Sequence, residues 1–293
     1  EVTGGHILNN LYGGNEMTNV GTYRNDDKNR PLIPVSGGKC TVNMVGGTLG
    51  VPRTPEASKL HPVTCYLFGA GKGDQRLPFN TWTNVINTEV NITGTARIFG
   101  SSFGGGEDGH VISNAITNIG GSVTIGNTTY TYTNVVIGTT GNSYVDGNVF
   151  GGGRGFSGEA QTAGSVGGNT TVNIMNGTML GSIYGGGRLA SVGTQFTSPD
   201  DPDYGNFEED ETGENARTYG HVTVNISGGT IGNDANDYKD DAVDTKHGGN
   251  VFGGSMGRLT LLDGTLNPIW PKLAQVKSST VNIYGNAVIK RNV

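Results

Sequence analysis

The chain has 293 residues, of which 52 are glycine, 33% are hydrophobic and 15% are charged. Glycine follows no Gly-X-Y period and only 10 prolines occur, so collagen is excluded, and the low apolar content excludes a large leucine-rich core. A net charge of −6 provides no basic surface for nucleic acid, and no apolar run reaches the ~18 residues of a membrane span. Recurring Val, Ile and aromatic runs argue against disorder and predict many short strands.

The sequence begins at Glu1 without a methionine or a leader segment. We therefore expect either that a signal has been removed or that the chain is a piece of a longer protein. It contains two cysteines, Cys40 and Cys65. A disulfide between them would contribute roughly 3.5 kcal/mol by the chain-entropy estimate. The sequence leaves open whether they pair or remain two reduced thiols.

A four-residue block close to Thr-Val-Asn-Ile recurs along the chain and predicts a β-strand. Copies begin at residues 41, 89, 171, 223 and 280, and Ser122-Val123-Thr124-Ile125 is interpreted as a degenerate copy. Alternation with period two places Val and Ile on one face of the strand and Thr and Asn on the other. The side chains that we therefore expect in the interior are Val42, Met44, Val90, Ile92, Val172, Ile174, Val224, Ile226, Val281 and Ile283.

Two further elements follow this block in the same order. A glycine turn leads to a second short apolar run, as at residues 46–50, 177–181 and 228–232. An aromatic residue then runs into glycines, at Tyr12, Phe68, Phe103, Phe150, Tyr184 and Phe252. We expect these six rings to form an interior stack, because glycines after them allow close approach of neighbouring backbones.

Stacked copies of this unit would cover one another and satisfy their backbone groups in parallel ladders. The pattern predicts one all-β domain over residues 1–293, a parallel β-helix (β-solenoid), right-handed by the general rule for parallel crossovers. Long irregular loops are predicted at 17–38, 51–64, 72–88, 107–121, 155–168, 188–220 and 233–249. Two acidic segments, 200–214 and 234–244, are typical of solvated loops. Gly-Gly pairs also indicate hairpins, so an antiparallel sandwich or a stack of hairpins is the alternative.

The candidate ligand-binding residues are Lys72, Glu107, Arg154 and Arg188, each four residues after an aromatic residue. In-register stacking would align them in one ladder, with Glu107 between Lys72 and Arg154. Arg154 beside Arg188 would then form a cationic spot able to hold a carboxylate or sulfate. Of the two interpretations we favour the other one, a surface charge ladder without any ligand, in which each pair contributes about 0–1 kcal/mol.

A polysaccharide-cleaving lyase or hydrolase is the competing hypothesis, with Glu107, Asp108 and Asp146 near Arg154 as its reactive set. The spacing of these residues is not specific for an enzyme. The five histidines show no metal-ligand spacing, and Cys-x-x-Cys is absent from the sequence, so we expect neither a metal nor a cofactor. The outward Thr and Asn rows either bind sugars or ice or, as we favour, hydrogen-bond from coil to coil.

The repeated Thr-Val-Asn-Ile blocks occur with Asn-Val-Phe-Gly-Gly-Gly at 148–153 and Ser-Ile-Tyr-Gly-Gly-Gly at 182–187. Across most of residues 40–290 they resemble the glycine-rich repeats of large secreted or surface proteins of gut Bacteroidetes. That resemblance implies an extracellular or cell-surface, adhesin-like solenoid and supplies no catalytic residue. We expect a non-enzymatic scaffold or adhesion module that contacts a glycan or a host or cell-surface protein. A filament built through the solenoid ends is a further alternative.

Overall fold

The computed structural model describes residues 1–24, 33–52, 65–76, 82–141, 146–155, 163–193, 219–233, 248–258 and 273–293. The two acidic segments, 200–214 and 234–244, lie outside these described residues, as do His61 and His247. Regular structure in the described part consists of β-strands, numbered β1 to β25 in chain order. Most of these strands belong to three long parallel sheets.

Sheet A contains the Thr-Val-Asn-Ile blocks. Its strands, in spatial order, are β5 (Lys39–Met44), β9 (Asn87–Ile92), β13 (Ala115–Ile119), β18 (Thr170–Ile174), β21 (His221–Ile226) and β24 (Ser278–Ile283). Each strand pairs in parallel with the next one in this order. The register places Asn43 beside Asn91 and Val172 beside Val224. Equivalent residues therefore lie directly over one another.

Sheets B and C contain the two shorter elements of the repeat. Sheet B consists of β1 (His6–Ile7), β6 (Thr48–Leu49), β10 (Arg97–Ile98), β16 (Val136–Ile137), β19 (Thr178–Met179), β22 (Thr230–Ile231) and β25 (Val288–Ile289). Sheet C consists of β2 (Leu11–Tyr12), β7 (Leu67–Phe68), β11 (Ser102–Phe103), β17 (Val149–Phe150), β20 (Ile183–Tyr184) and β23 (Val251–Phe252). One strand from each sheet forms a coil, and the coils stack in chain order. The predicted parallel β-solenoid is confirmed; its hand stays a prediction.

The side of each coil that connects sheet C to the next strand of sheet A is a fourth stack, which the sequence interpretation missed. Here β8 (Asn84–Val85) pairs in parallel with β12 (His110–Val111), and single bridges continue from Val111 to Val166 and from Val166 to Val192. These valines are buried together with Cys40, Ala70, Ala115 and Val222. Segments 72–88, 107–121, 155–168 and 188–220, all predicted as irregular loops, therefore contain parts of the stacked structure.

The predicted degenerate copy at Ser122–Ile125 is wrong. Strand β14 (Val123–Ile125) pairs antiparallel with β15 (Thr128–Tyr130) in a hairpin outside the three sheets. The copy in this coil is Ile116–Ile119, which lies in β13 and places Asn118 beside Asn91. A second antiparallel hairpin joins β3 (Thr22–Arg24) to β4 (Ile33–Ser36).

The predicted interior is correct for eight of the ten assigned side chains, each at most 5% exposed. The two exceptions belong to β24, where Val281 is half-buried and Ile283 is 41% exposed. Strand β24 is an edge of sheet A, so no coil in the described part covers these side chains from the other side. The six aromatic rings stack as predicted, with centroids 4.6–5.2 Å apart along the column. Their predicted interior position is correct for the four middle rings, whereas Tyr12 is half-buried and Phe252 is 45% exposed.

The asparagines of sheet A form a continuous ladder of side-chain hydrogen bonds. Each Nδ2 donates to the Oδ1 of the preceding coil at 2.8–2.9 Å, from Asn91 to Asn43 and onward through Asn118, Asn173, Asn225 and Asn282. This supports the favoured interpretation that these amides bond from coil to coil. The neighbouring threonine row is interrupted, because Glu89 and Ile116 occupy its register positions in two coils.

We expect Asn173→Ala to lower the free energy of unfolding by about 1–3 kcal/mol. The change removes the bond donated to Asn118 and the bond accepted from Asn225, and it leaves both partners unsatisfied. Asn282→Ala is the matched control, because the exposed Asn282 amide at the edge strand donates one such bond. Urea unfolding of both variants measures the difference, and equal losses would contradict a cooperative role for the ladder.

The two cysteines are buried and are not joined by a disulfide. Burial raises the pKa of the Cys40 thiol, because the thiolate is disfavoured away from water. We therefore expect iodoacetamide to alkylate Cys40 at least about tenfold more slowly in the native protein than in urea, at about pH 8. Peptide mass spectrometry measures this ratio. A Cys40–Cys65 cross-linked peptide in the non-reduced protein would contradict the reduced state.

Candidate functional site

The candidate residues lie on a backbone ladder that begins where each coil leaves sheet C. Parallel bridges connect Glu107 to Arg154 and Arg154 to Arg188. Glu107 also lies beside Lys72, because its N–H donates to Gly71 O at 3.1 Å and its carbonyl accepts from Gly73 N at 2.8 Å. The structure thus aligns residues that are widely separated in the sequence. Whether they bind a ligand stays a prediction.

Glu107 is held through both of its carboxylate oxygens. Arg154 Nη1 lies 2.6 Å from Glu107 Oε1, and their side chains are only 11% and 16% exposed. The hydroxyl of Tyr12, two coils away, donates to Glu107 Oε2. Burial and this bond raise the pKa of the Tyr12 phenol, so the hydroxyl remains a donor. An ion pair this well shielded from water is stronger than a surface pair.

Tyr66 contacts both arginines, Arg154 through its ring and Arg188 through its hydroxyl. The Arg154 guanidinium lies 5.3 Å from the centroid of the Tyr66 ring, within range of a cation–π interaction. Arg188 Nη1 lies 3.5 Å from the Tyr66 hydroxyl. Tyr66 is itself 1% exposed and packs edge-on against Phe103, with ring centroids 5.5 Å apart. The arginines are therefore positioned by the buried aromatic column.

The pKa of Arg188 is lowered by its surroundings. Burial lowers its pKa, and so do the like charges of Arg154 and Arg258, while the Tyr66 phenol opposes the shift. An arginine remains protonated at any physiological pH, so the shift indicates a cost of keeping this charge in place.

Lys72 contributes little to this cluster through its side chain. Its Nζ lies 2.9 Å from Glu16 Oε1, in a pair whose side chains are 46% and 68% exposed. The bond to Glu16 raises the pKa of Lys72, and the charge of Glu107 adds only a minor effect. An exposed pair of this kind is worth about 0–1 kcal/mol. Lys72 thus lies in the ladder but turns its charge toward solvent.

The structure does not assemble the whole set named for a hydrolase or lyase. Asp108 follows Glu107 and donates its backbone N–H to Arg154 O at 2.8 Å. Asp146 lies at a different corner, between sheets B and C. There it is fully buried and accepts bonds from the backbone N–H groups of Thr139 and Thr140 at 2.7 and 2.9 Å. These contacts indicate that Asp146 stabilises a corner.

Sequence reasoning missed Tyr12 and Tyr66 as members of this site. It placed Tyr12 only in the ring stack, although its hydroxyl reaches Glu107. The sequence does contain a feature that distinguishes Tyr66, because this aromatic residue lies two residues before Phe68 of the stack. The corresponding positions in the other coils hold small polar residues, Asn10, Ser101, Asn148, Ser182 and Asn250.

No protein-family model, curated protein or solved structure matches this chain. The resemblance to glycine-rich Bacteroidetes repeats therefore stays a prediction based on its motifs. In the residues that the structure describes, no helix has the length and apolarity to cross a membrane. Within the same residues, no three His, Cys, Asp or Glu side chains are grouped as metal ligands would be.

Proposed function

We propose that the chain is a non-enzymatic extracellular or cell-surface scaffold, whose solenoid presents inserted segments as contact surfaces for a glycan or a surface protein. One observation carries this proposal. The described residues on both sides of an insertion meet again at the same corner of the coil. An insertion can then vary in length and composition without displacing the stacked strands.

At three insertions the described flanking residues lie close to each other. A Cβ on Gly220 would lie 3.3 Å from Val192 O, so the ends of the insertion at 194–218 meet. A Cβ on Gly232 would lie 2.7 Å from Gly249 Cα, across the insertion at 234–247. A Cβ on Gly155 would lie 2.8 Å from Ala163 O, across the insertion at 156–162. Each insertion begins and ends on the solenoid wall.

The proposal is tested by replacing residues 194–218 with a short Gly-Ser linker. We expect the circular dichroism spectrum and the Tm to remain close to those of the parent, because the described residues on either side of this segment meet on the solenoid wall. Binding on a glycan array is expected to change. A variant that no longer folds would contradict the scaffold role, since it would make the insertion part of the core.

A polysaccharide-cleaving enzyme is the second candidate. It is favoured by the convergence of Tyr12, Glu107 and Arg154 from three different coils. Elimination at a uronate needs a base and a cation that neutralises the carboxylate. The raised pKa of Tyr12 suits a proton donor better than a base. Release of unsaturated uronates from acidic polysaccharides, abolished by Arg154→Ala, would establish the enzyme and overturn the scaffold.

A further inference from the structure

We propose that the fourth stack, at the corner between sheets C and A, holds internal water molecules bound to the buried side chains of Thr83, Asn84 and Ser165. This inference goes beyond the proposed scaffold and does not depend on it. Asn84 begins β8 and Thr83 precedes it, while Ser165 precedes Val166, which continues the same stack two coils further on. All three residues therefore belong to the solenoid wall.

A polar side chain stands before a valine wherever the described chain forms this stack. The pairs are Asn19-Val20, Asn84-Val85, His110-Val111, Ser165-Val166, Ser191-Val192 and Gln275-Val276. The valines pack together in one apolar cluster. By alternation the polar side chains belong to the opposite face, yet those of Asn84, His110, Ser165 and Ser191 are at most 2% exposed. This face of the stack is therefore both polar and buried.

Several polar atoms on this face have no protein partner. Among the residues that the structure describes, none forms a hydrogen bond with Thr83 Oγ1, with Ser165 Oγ or with either polar atom of the Asn84 amide. Buried polar atoms in folded proteins are nearly always hydrogen-bonded, to protein groups or to ordered water, because leaving them unpaired is costly. These four atoms therefore require a partner other than the described protein groups.

Another coil of the stack shows how such a side chain is satisfied directly. Ser191 Oγ accepts the backbone N–H of Gln275, at the same position of the next coil, at 3.1 Å. At Asn84 the corresponding N–H is that of His110, which donates instead to Thr83 O at 2.9 Å. The Asn84 side chain therefore lacks the bond that satisfies Ser191.

The chemistry of these atoms favours water over an ion. The Asn84 amide offers both N–H donors and a C=O acceptor, and the hydroxyls of Thr83 and Ser165 can act in either way. A bare ion would satisfy only one end of the amide, and these three neutral side chains would not balance its charge. Water donates and accepts at once, and it is the usual partner of buried polar groups that no protein atom reaches.

The atoms without a protein partner lie in the two coils where the chain returns to this corner from a longer segment. Residues 77–81 and 156–162 are those segments, and they lie just before the stack in sequence. In the coils of His110 and Ser191 no such segment intervenes. There the Nδ1–H of His110 donates to Trp82 O at 3.0 Å, and Ser191 is bonded as described. Bound water would therefore join these longer segments to the wall.

The test is oxygen-17 magnetic relaxation dispersion on the intact chain, which counts internal waters by their long residence times. A chain of 293 residues is expected to hold about ten of them. We expect Ser165→Ala and Asn84→Leu each to lower this count by about one, because each removes the polar atoms that hold a water. An unchanged count in both variants would overturn the proposal.

Ser191→Ala is the matched control for Ser165→Ala. The two serines occupy the same position of the repeat and are 1% and 2% exposed, but the Ser191 hydroxyl already accepts the N–H of Gln275. We therefore expect Ser191→Ala to leave the water count unchanged, and a loss equal to that of Ser165→Ala would contradict the assignment. Ser165→Ala removes a single oxygen atom and decides the question if Asn84→Leu fails to fold.

A crystal structure of the intact chain identifies the bound molecule. We expect a water within about 3.2 Å of the Asn84 amide and another at the same distance from Ser165 Oγ. A metal ion at either position, or direct bonds from these atoms to protein groups, would overturn the proposal. Neither result would affect the scaffold, which is tested separately by the replacement of residues 194–218.

Discussion

Phe103→Ala is expected to lower the free energy of unfolding by about 3–5 kcal/mol, the range for truncating a large buried ring. The Phe103 ring is fully buried, and its centroid lies 5.0 Å from that of Phe68 and 4.6 Å from that of Phe150. Tyr66 packs edge-on against the same ring. The alanine variant would leave a cavity between three aromatic neighbours. It would also loosen the packing of Tyr66, which contacts Arg154 and Arg188. Urea unfolding monitored by circular dichroism measures the loss.

The matched control is Phe252→Ala, at the equivalent position of sheet C. The Phe252 ring is 45% exposed and stacks on Tyr184. Because water can fill the space that this ring leaves, we expect a loss of no more than about 1 kcal/mol. Equal losses in the two variants would mean that the aromatic column does not stabilise the interior of the stack.

Gly151→Ala is expected to be strongly disruptive, because it places a Cβ where the next coil already lies. That atom would overlap the carbonyl oxygen of Gly185 and lie 2.9 Å from Val172 Cγ2. Overpacking of this kind costs about 1–3 kcal/mol where side chains can move, and a backbone carbonyl in a parallel ladder cannot easily do so. We therefore expect at least about 3 kcal/mol of destabilisation, or a chain that fails to fold, on the same urea measurement.

Gly4→Ala tests whether steric contact is the cause. A Cβ at Gly4 would meet no atom within 4 Å. We therefore expect the free energy of unfolding to change by no more than about 0.5 kcal/mol. If Gly151→Ala were as stable as Gly4→Ala, the coils could not be packed as closely as the structure places them.

The main repeat could be predicted because the alternation of apolar and polar residues recurs in every copy and has a direct physical cause. Alternation in Thr-Val-Asn-Ile places one face inward, and a repeat too small to bury that face alone must stack. The same alternation misled the interpretation at Ser122–Ile125, since a solvent-exposed hairpin strand also alternates. Asn118 was the better guide, because only a strand within the stack continues the amide ladder.

The remaining features could not be derived from local pattern alone. The fourth stack, which contains Val111, Val166 and Val192, makes only one or two bridges per coil, so its sequence motif is short. The motif is visible in one place, where Ser165-Val166-Gly167 recurs as Ser191-Val192-Gly193. The four-residue spacing after each aromatic located the charged ladder. It did not indicate that the Tyr12 hydroxyl would contact Glu107, because the two residues lie two coils apart. Such a contact depends on how the coils stack and not on the spacing within one repeat.

The amide ladder of sheet A has a direction, because each asparagine donates its side-chain N–H to the asparagine of the preceding coil. Its dipoles therefore add along the axis. Tandem duplication of one coil preserves every pairing, because each added amide donates to the preceding coil and accepts from the following one. The stack can thus be lengthened by tandem duplication, in evolution or by engineering, without interrupting the amide ladder.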